Sequence, residues 1–533
     1  MAAASKGRDG ATTPAAADDD IAALARGGRL SFFGFLLRLA ARLPFLFIAG
    51  RWYGAGALGR FAYAVIIVEF AAQLATLGLK RGLAQQLASS DRAEVCDVWD
   101  ALLVGLLGAS AAAALLIALP WIVFPNSAIN GMDRLLPLTI FGLVGSDIAL
   151  AALAYKGNVG ATVRARALVE PWTISIAAFA LAYYSLRDGL IIAYVLSMAA
   201  AFVASIVPLL RTYGLPHGWR PAPERVIAIA RANWPLAGAD AVEWGSRRLD
   251  IAILGLFFSA QIVGVYYVAQ QIASLPQKLK TTFDPILGPV ITQRLAEGDR
   301  EAVGRQVRQV GFWIIAAQVG VALALAIPGE AVMGTVGAVF VGGTGVLALL
   351  LAAEAVAATA VVSEAALIYV APKRNLMISF AMIALQAALT VTLILLAGDA
   401  LARWHGPGWR MRDDLVAAAM PALALLLALG FAAFAKSRLL RALLGVPVVG
   451  WRMALVPAAA LGTVIGWAFT QLPARLEWVE LAFGIPAILL GYGWLIWRRG
   501  FGHEDRALFR MRRAPSEGDG SGSDLSAGSG AYR

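Results

Sequence analysis

The sequence predicts an all-α polytopic membrane protein of about fourteen transmembrane helices, arranged as two parallel-repeat six-helix bundles plus two C-terminal helices. Three observations predict it. Apolar runs of about twenty residues recur along nearly the whole chain, the length a helix needs to cross a bilayer. Of the 533 residues, 59% are hydrophobic and 15% charged, whereas soluble domains sit nearer half and a quarter. Residues 50–64 align without a gap on residues 255–269. The apolar runs are continuous and do not alternate, which argues against a membrane β-barrel.

The elements follow in order. Residues 1–28 are Ala-rich, carry Asp18, Asp19 and Asp20, and lack the basic start, short apolar core and cleavage site of a signal peptide. They read as a disordered cytoplasmic tail. The first bundle, 29–211, holds spans near 30–50, 58–79, 100–124, 135–155, 166–185 and 189–210. A cytoplasmic linker, 212–232, leads to a second bundle, 233–436, with spans near 233–257, 261–283, 309–328, 344–370, 375–398 and 414–435. Two more spans, near 451–471 and 477–497, fall within 437–500, and a Gly/Ser-rich cytoplasmic tail closes the chain over 501–533. Residues 80–99 read either as an amphipathic segment on the cytoplasmic interface or as a plain polar loop.

The net charge of +11 is explained by topology and does not require nucleic acid. With both termini inside, 33 of the 45 Lys and Arg residues fall in inside segments, 8 in outside segments and 4 within spans. The single cysteine, Cys96, excludes an internal disulfide. His217, His405 and His503 lie in loops, so no metal cluster is expected. No phosphate-binding loop with its lysine is present, and no cofactor is expected.

In the repeat, GRWYGAGALGRFAYA (50–64) falls on GLFFSAQIVGVYYVA (255–269). A shift of 205 pairs Gly50 with Gly255, Ala55 with Ala260, Gly59 with Gly264, Ala64 with Ala269 and Arg42 with Arg247. Both copies keep one orientation, as in transporters built from parallel repeats about an axis along the membrane normal.

The stretch WYGAGALGRFAYA…LATLGLKRGLAQQLA (52–88) resembles the opening helix pair of Wzx-type polysaccharide flippases, members of the multidrug/oligosaccharidyl-lipid/polysaccharide exporter superfamily. NWPLAGADAVEWGSRRLDIAILGLFFSAQIVGVYYVAQQIASLPQKL (233–279) and DPILGPVITQRLAEGDREAV (284–303) are similar to later parts of the same family. The resemblance covers about residues 28–500. It implies two bundles around a cavity that opens alternately to either side of a bacterial inner membrane. It implies as cargo an oligosaccharide on a polyprenyl diphosphate, moved to the outer leaflet for O-antigen, capsule or exopolysaccharide synthesis. Membrane lipids and polysaccharide assembly enzymes are the other partners it implies. It also places Arg38 and Arg42 among the arginines of a cationic cavity.

Arg38 and Arg42 are four apart in the first span and share a helix face. Each guanidinium would cost about 2.5–3.5 kcal/mol facing lipid at the bilayer centre. Facing a wet cavity they would grip a diphosphate bidentately. The alternative is a structural pair with Glu69, Asp147 or Glu170. The seventh span carries Asp240, Glu243, Arg247, Arg248 and Asp250. Arg247 is spaced to pair with Glu243 or Asp250, while Arg248 has Trp244 four residues before it and is the freer to meet cargo. Substrate-binding candidates are therefore Arg38, Arg42, Arg247 and Arg248, and coupling candidates are Asp240 and Glu69. Glu354 and Glu364, ten apart on the tenth span, are not expected to share a site. Gln270, Gln271 and Gln277 are spaced either to meet sugar hydroxyls or to bond helices together.

Without a nucleotide site, transport must draw on an ion gradient, the membrane potential or consumption of the product. The competing readings are a drug/cation antiporter of the same superfamily, a membrane oligosaccharide ligase or polymerase, and a scaffold. An antiporter wants net acid in the cavity. A ligase wants a substantial outer loop, and the longest outside segment here is about 399–413.

Overall fold

The computed structural model describes residues 43–125, 127–280, 300–405 and 411–502. Arg38 and Arg42, the expected N-terminal tail, His503 and the rest of the C-terminal tail lie outside the described residues. Helices are the only regular elements among those described.

Residues 43–53 form α1, which ends at Gly54 with φ of +79°. Glycine takes that conformation without a Cβ clash. Helix α2 (Gly54–Ala75) leaves directly from it, so the expected connection over 51–57 is a one-residue turn. Next comes α3 (Leu79–Ser89), whose Leu79, Leu83 and Leu87 are buried while Lys80 and Arg81 are exposed. This is the amphipathic alternative, shorter than expected, because α4 (Glu94–Ala118) already begins at Glu94. Then follow α5 (Thr139–Tyr155), α6 (Glu170–Leu181) and α7 (Gly189–Tyr213).

Helix α8 (Pro223–Phe257) reaches back through half of the expected linker. Its first residue is proline, whose missing N–H costs nothing at a helix start. The remaining linker is tied to α4 at Asp100, which is 1% exposed. Trp219 donates its indole N–H to Asp100 at 2.7 Å, Arg92 donates at 3.1 Å, and Arg225 stands at 3.7 Å.

The chain continues with α9 (Ala260–Lys280), α10 (Arg300–Ala326), α11 (Gly329–Val336), α12 (Thr344–Ala358) and α13 (Val361–Val370). The expected span 344–370 is thus two helices interrupted at Thr359 and Ala360. Helix α14 (Pro372–His405) runs to His405, so residues 399–405 of the expected outside segment are helix, and His405 is not in a loop. Last come α15 (Met411–Ala418), α16 (Met420–Leu444), α17 (Leu455–Thr470) and α18 (Ile485–Leu495).

Nine helical segments among the described residues are long and apolar enough to cross a membrane, and α13 and α17 are shorter apolar helices. The expected fourteen are therefore not all recovered on length and composition. The 35-residue α8 is absent from the nine because its middle carries Asp240, Glu243, Arg247, Arg248 and Asp250.

Packing centres on α2 and α9. Helix α2 lies against α4 and α5 on one side and against α8 and α9 on the other, while α9 continues to α10 and α12. Where α2 meets α9, a Cβ on Gly59 would lie 1.7 Å from the Ala260 carbonyl oxygen, and one on Gly264 would lie 2.0 Å from that of Ala55. No side chain fits, so the backbones touch. These four residues are the pairs that the 205-residue shift superposes. Residue and repeat-mate contacting each other reciprocally is what a two-fold relation between copies produces.

A charged cavity between α2 and α8 as candidate functional site

Glu69 lies ten residues beyond Gly59, about 15 Å along the α2 axis. A cavity of about 740 Å³ opens there. Its walls are helix stripes. Helix α2 presents Glu69, Ala72 and Gln73, spaced as one helical face. Helix α8 presents Asp240, Glu243, Trp244, Arg247 and Arg248 at the same kind of spacing. Asp147 comes from α5, Tyr194 from α7, Glu170 from the start of α6, Arg166 from the helical turn just before it, and Lys80 and Arg81 from α3.

Among the described residues the lining holds five basic and five acidic side chains, and all ten are in ion pairs. Arg81 binds Asp240 at 2.8 Å and also contacts Glu243, which joins α3 to α8. Arg247 reaches back to Glu243 at 3.2 Å. Arg248 faces Glu69 at 3.9 Å, and Tyr194 donates its hydroxyl to Glu69 at 3.5 Å. Arg166 is held by Glu170 at 2.8 Å and by Asp147, which Lys80 approaches at 3.9 Å. Charges removed from water are costly when left alone, and mutual pairing offsets part of that cost. Arg81, Glu243 and Arg247 are each about half exposed, so water enters the cavity and screens their pairs.

Four candidates from the sequence, Glu69, Asp240, Arg247 and Arg248, are thus brought to one cavity. Two expected pairings are corrected. Arg248 is not free: its partner is Glu69 on another helix, 179 positions away. Asp250 does not serve Arg247. It is 1% exposed and accepts hydrogen bonds from Tyr266 at 2.7 Å and from Gln270 at 2.9 and 3.0 Å. Gln270 therefore bonds helices together, and the Gln277 side chain is outside the description. The three acids weighed as partners for Arg38 and Arg42 are engaged by Arg248, Arg166 and Lys80.

Arg81 and Arg166 are not among the sequence candidates, yet both face the cavity. The four-residue spacing of Arg166 and Glu170 was the available signal. Lys436, one residue past the expected span 414–435, is 4% exposed on α16 and pairs with Glu364 at 3.0 Å.

At the other end of α2 the helices close up. The space beside Gly59, Arg60, Tyr63 and Gly255 is only about 20 Å³. Arg60 binds the buried Asp133 there and lies 4.5 Å over the Phe124 ring.

The model of a family described as polysaccharide biosynthesis protein matches residues 51–335, more than half of the chain. The chain belongs to that family. The match covers α2, α8 and every cavity residue described above. No curated protein matches the chain in sequence. Among solved structures the chain is similar to the lipid II flippase MurJ in an inward closed conformation. The TM-score is 0.64 at 10% identity, over 88% of this chain and 98% of that one. It is also similar to an inward-facing multidrug resistance MATE family transporter of the MOP superfamily. There the TM-score is 0.55 at 15% identity, over 76% of this chain and 94% of that one. At these identities the likeness is one of fold alone, that of a multi-pass membrane protein.

Proposed function

We propose that this polysaccharide biosynthesis protein flips a polyprenyl-diphosphate-linked oligosaccharide from the cytoplasmic to the outer leaflet of the inner membrane. Surface polysaccharide synthesis would consume the product. The observation that carries the reading is the cavity: about 740 Å³, with half-exposed charges, and lined by ion pairs of both signs. Its mixed character suits cargo that joins an anionic diphosphate to a hydroxyl-rich glycan. Arginines offer planar forks for phosphate oxygens. Carboxylates accept hydrogen bonds from hydroxyl groups. The family's description and a fold like that of a lipid II flippase support the same cargo class.

On this reading the two halves around α2 and α9 rock against each other, with the Gly59–Gly264 contact as the outer seal and the cavity facing the cytoplasm. Cargo enters by partner exchange. The diphosphate displaces Glu243 and Glu69 from Arg247 and Arg248, and the released carboxylates turn to the sugar. With both termini taken as inside, the mouth that carries Lys80, Arg81 and Arg166 would face the cytoplasm. Arg38 and Arg42 are assigned to the same cavity by resemblance alone, and Asp240 and Glu69 remain the coupling candidates. An antiporter for organic cations is the poorer fit, because each lining acid has a cationic partner.

The test is made in the producing cell. Replacing Arg247 and Arg248 together by Gln is expected to abolish surface polysaccharide while membrane insertion is kept. Replacing Arg38 and Arg42 is expected to do the same. Normal polysaccharide from either inserted variant rejects the role assigned to that pair.

A further inference from the structure

The cavity holds one large aromatic side chain that the ion pairs do not explain. Trp244 lies on α8 between Asp240 and Arg248, four residues from each, and borders the cavity next to Glu243. Phe70 of α2 stacks on it, with ring centroids 4.5 Å apart and planes 32° apart. One face of the indole is thereby covered and its orientation fixed. The indole N–H is buried and has no hydrogen-bond partner. What Trp244 gives to the cavity is therefore its carbon surface, set among carboxylates and guanidinium groups.

That combination matches one kind of ligand. A pyranose ring has an apolar C–H face and a rim of hydroxyl groups. The face is attracted to the electron-rich face of an aromatic ring, and the rim needs acceptors such as Glu69 and Glu243 close by. An acyl or prenyl chain would also cover the indole, but it would leave the flanking charges desolvated and unserved. We propose that Trp244 is the stacking platform for the sugar attached directly to the diphosphate, with Phe70 holding the platform in place. Side chains three and four residues apart on a helix are neighbours. A diphosphate on Arg247 and Arg248 thus brings its first sugar over Trp244.

This inference rests on the flippase reading, and the experiment separates the two. The purified full chain is offered two probes by native mass spectrometry: bare C55 polyprenyl diphosphate and the same lipid carrying one hexose. The wild-type chain is expected to prefer the glycosylated lipid. Trp244→Leu, which keeps an apolar side chain without a ring face, is expected to lose about three- to tenfold of that preference. Trp244→Phe is expected to retain most of it, and both variants should still bind the bare lipid. A merely structural tryptophan would weaken both probes alike and leave their ratio unchanged, which overturns the proposal. Binding of neither probe by the wild-type chain rejects the flippase reading and this inference with it. Should Trp244→Leu fail to insert, the wild-type chain labelled with 5-fluorotryptophan decides. The Trp244 resonance, assigned by its absence from Trp244→Phe, must shift with the glycosylated probe and not with the bare one; equal shifts overturn the platform.

Discussion

Tyr266 donates its hydroxyl to Asp250 at 2.7 Å, in the place where the first copy of the repeat packs Phe45 on Phe61. A shift of 205 superposes Phe45 on Asp250 and Phe61 on Tyr266. The same two helix positions thus hold an aromatic pair in one half and a buried polar pair in the other. Sequence repetition has preserved the contact and changed its chemistry. Removing the Tyr266 hydroxyl leaves a fully buried carboxylate with fewer donors. Tyr266→Phe is expected to cost about 1.5–3 kcal/mol, the range for hydrogen bonds to charged groups. Thermal unfolding in detergent checks this, and an unchanged midpoint contradicts it.

The seal at Gly59 and Gly264 makes a second prediction. Any side chain at either position meets a carbonyl oxygen well inside contact distance. Gly264→Val should push α2 and α9 apart and favour the state open to the outside. With cysteine at Ser127, which lines the small space at that end, membrane-impermeant maleimide should label faster in the Val variant. Equal labelling would show that this contact is not the seal.

Arg81 links α3 to α8 through Asp240 and Glu243, and Asp240 is 6% exposed. Arg81→Gln strands a nearly buried carboxylate, so the loss should be partly restored by Asp240→Asn. A double-mutant cycle on unfolding temperature should show coupling of about 0.5–3 kcal/mol. Additive effects would mean that the pair is incidental.

The Lys436–Glu364 pair behaves differently because the lysine is buried while the carboxylate is 37% exposed. Glu364→Gln leaves Lys436 without its countercharge and should lower the unfolding temperature. Adding Lys436→Met removes the stranded charge and should recover most of the loss. A double variant less stable than the single one would refute this.

A diphosphate with about two negative charges moving outward gains roughly 2.3 kcal/mol per charge per 100 mV when the interior is negative. Collapsing the potential in proteoliposomes should therefore slow translocation. No effect, together with a strong response to a proton or sodium gradient, would assign the coupling to an ion.

The legible parts of this molecule were those governed by local spacing. The stripe from Asp240 to Arg248 follows from helix periodicity, and the Arg247–Glu243 pair from a four-residue offset. The small residues at 55, 59, 260 and 264 stood out through the 205-residue repeat, and the touching backbones explain why they are small. Partners distant in sequence were illegible. Nothing near Arg248 announces Glu69, and nothing near Arg81 announces Asp240. Lys436 fell just past the expected span because the apolar run ends before it, while the helix continues to Leu444.

The role proposed for Arg247 and Arg248 is to hold a diphosphate while the attached glycan crosses the membrane. It is tested most directly in proteoliposomes by the rate at which a fluorescent lipid-linked oligosaccharide becomes accessible to a membrane-impermeant quencher. The wild-type chain should raise that rate well above protein-free vesicles, and Arg247→Gln with Arg248→Gln should lower it at least about tenfold, the loss of roughly one charge-assisted hydrogen bond. A wild-type rate no faster than empty vesicles, or a double variant as fast as wild type, would contradict the account.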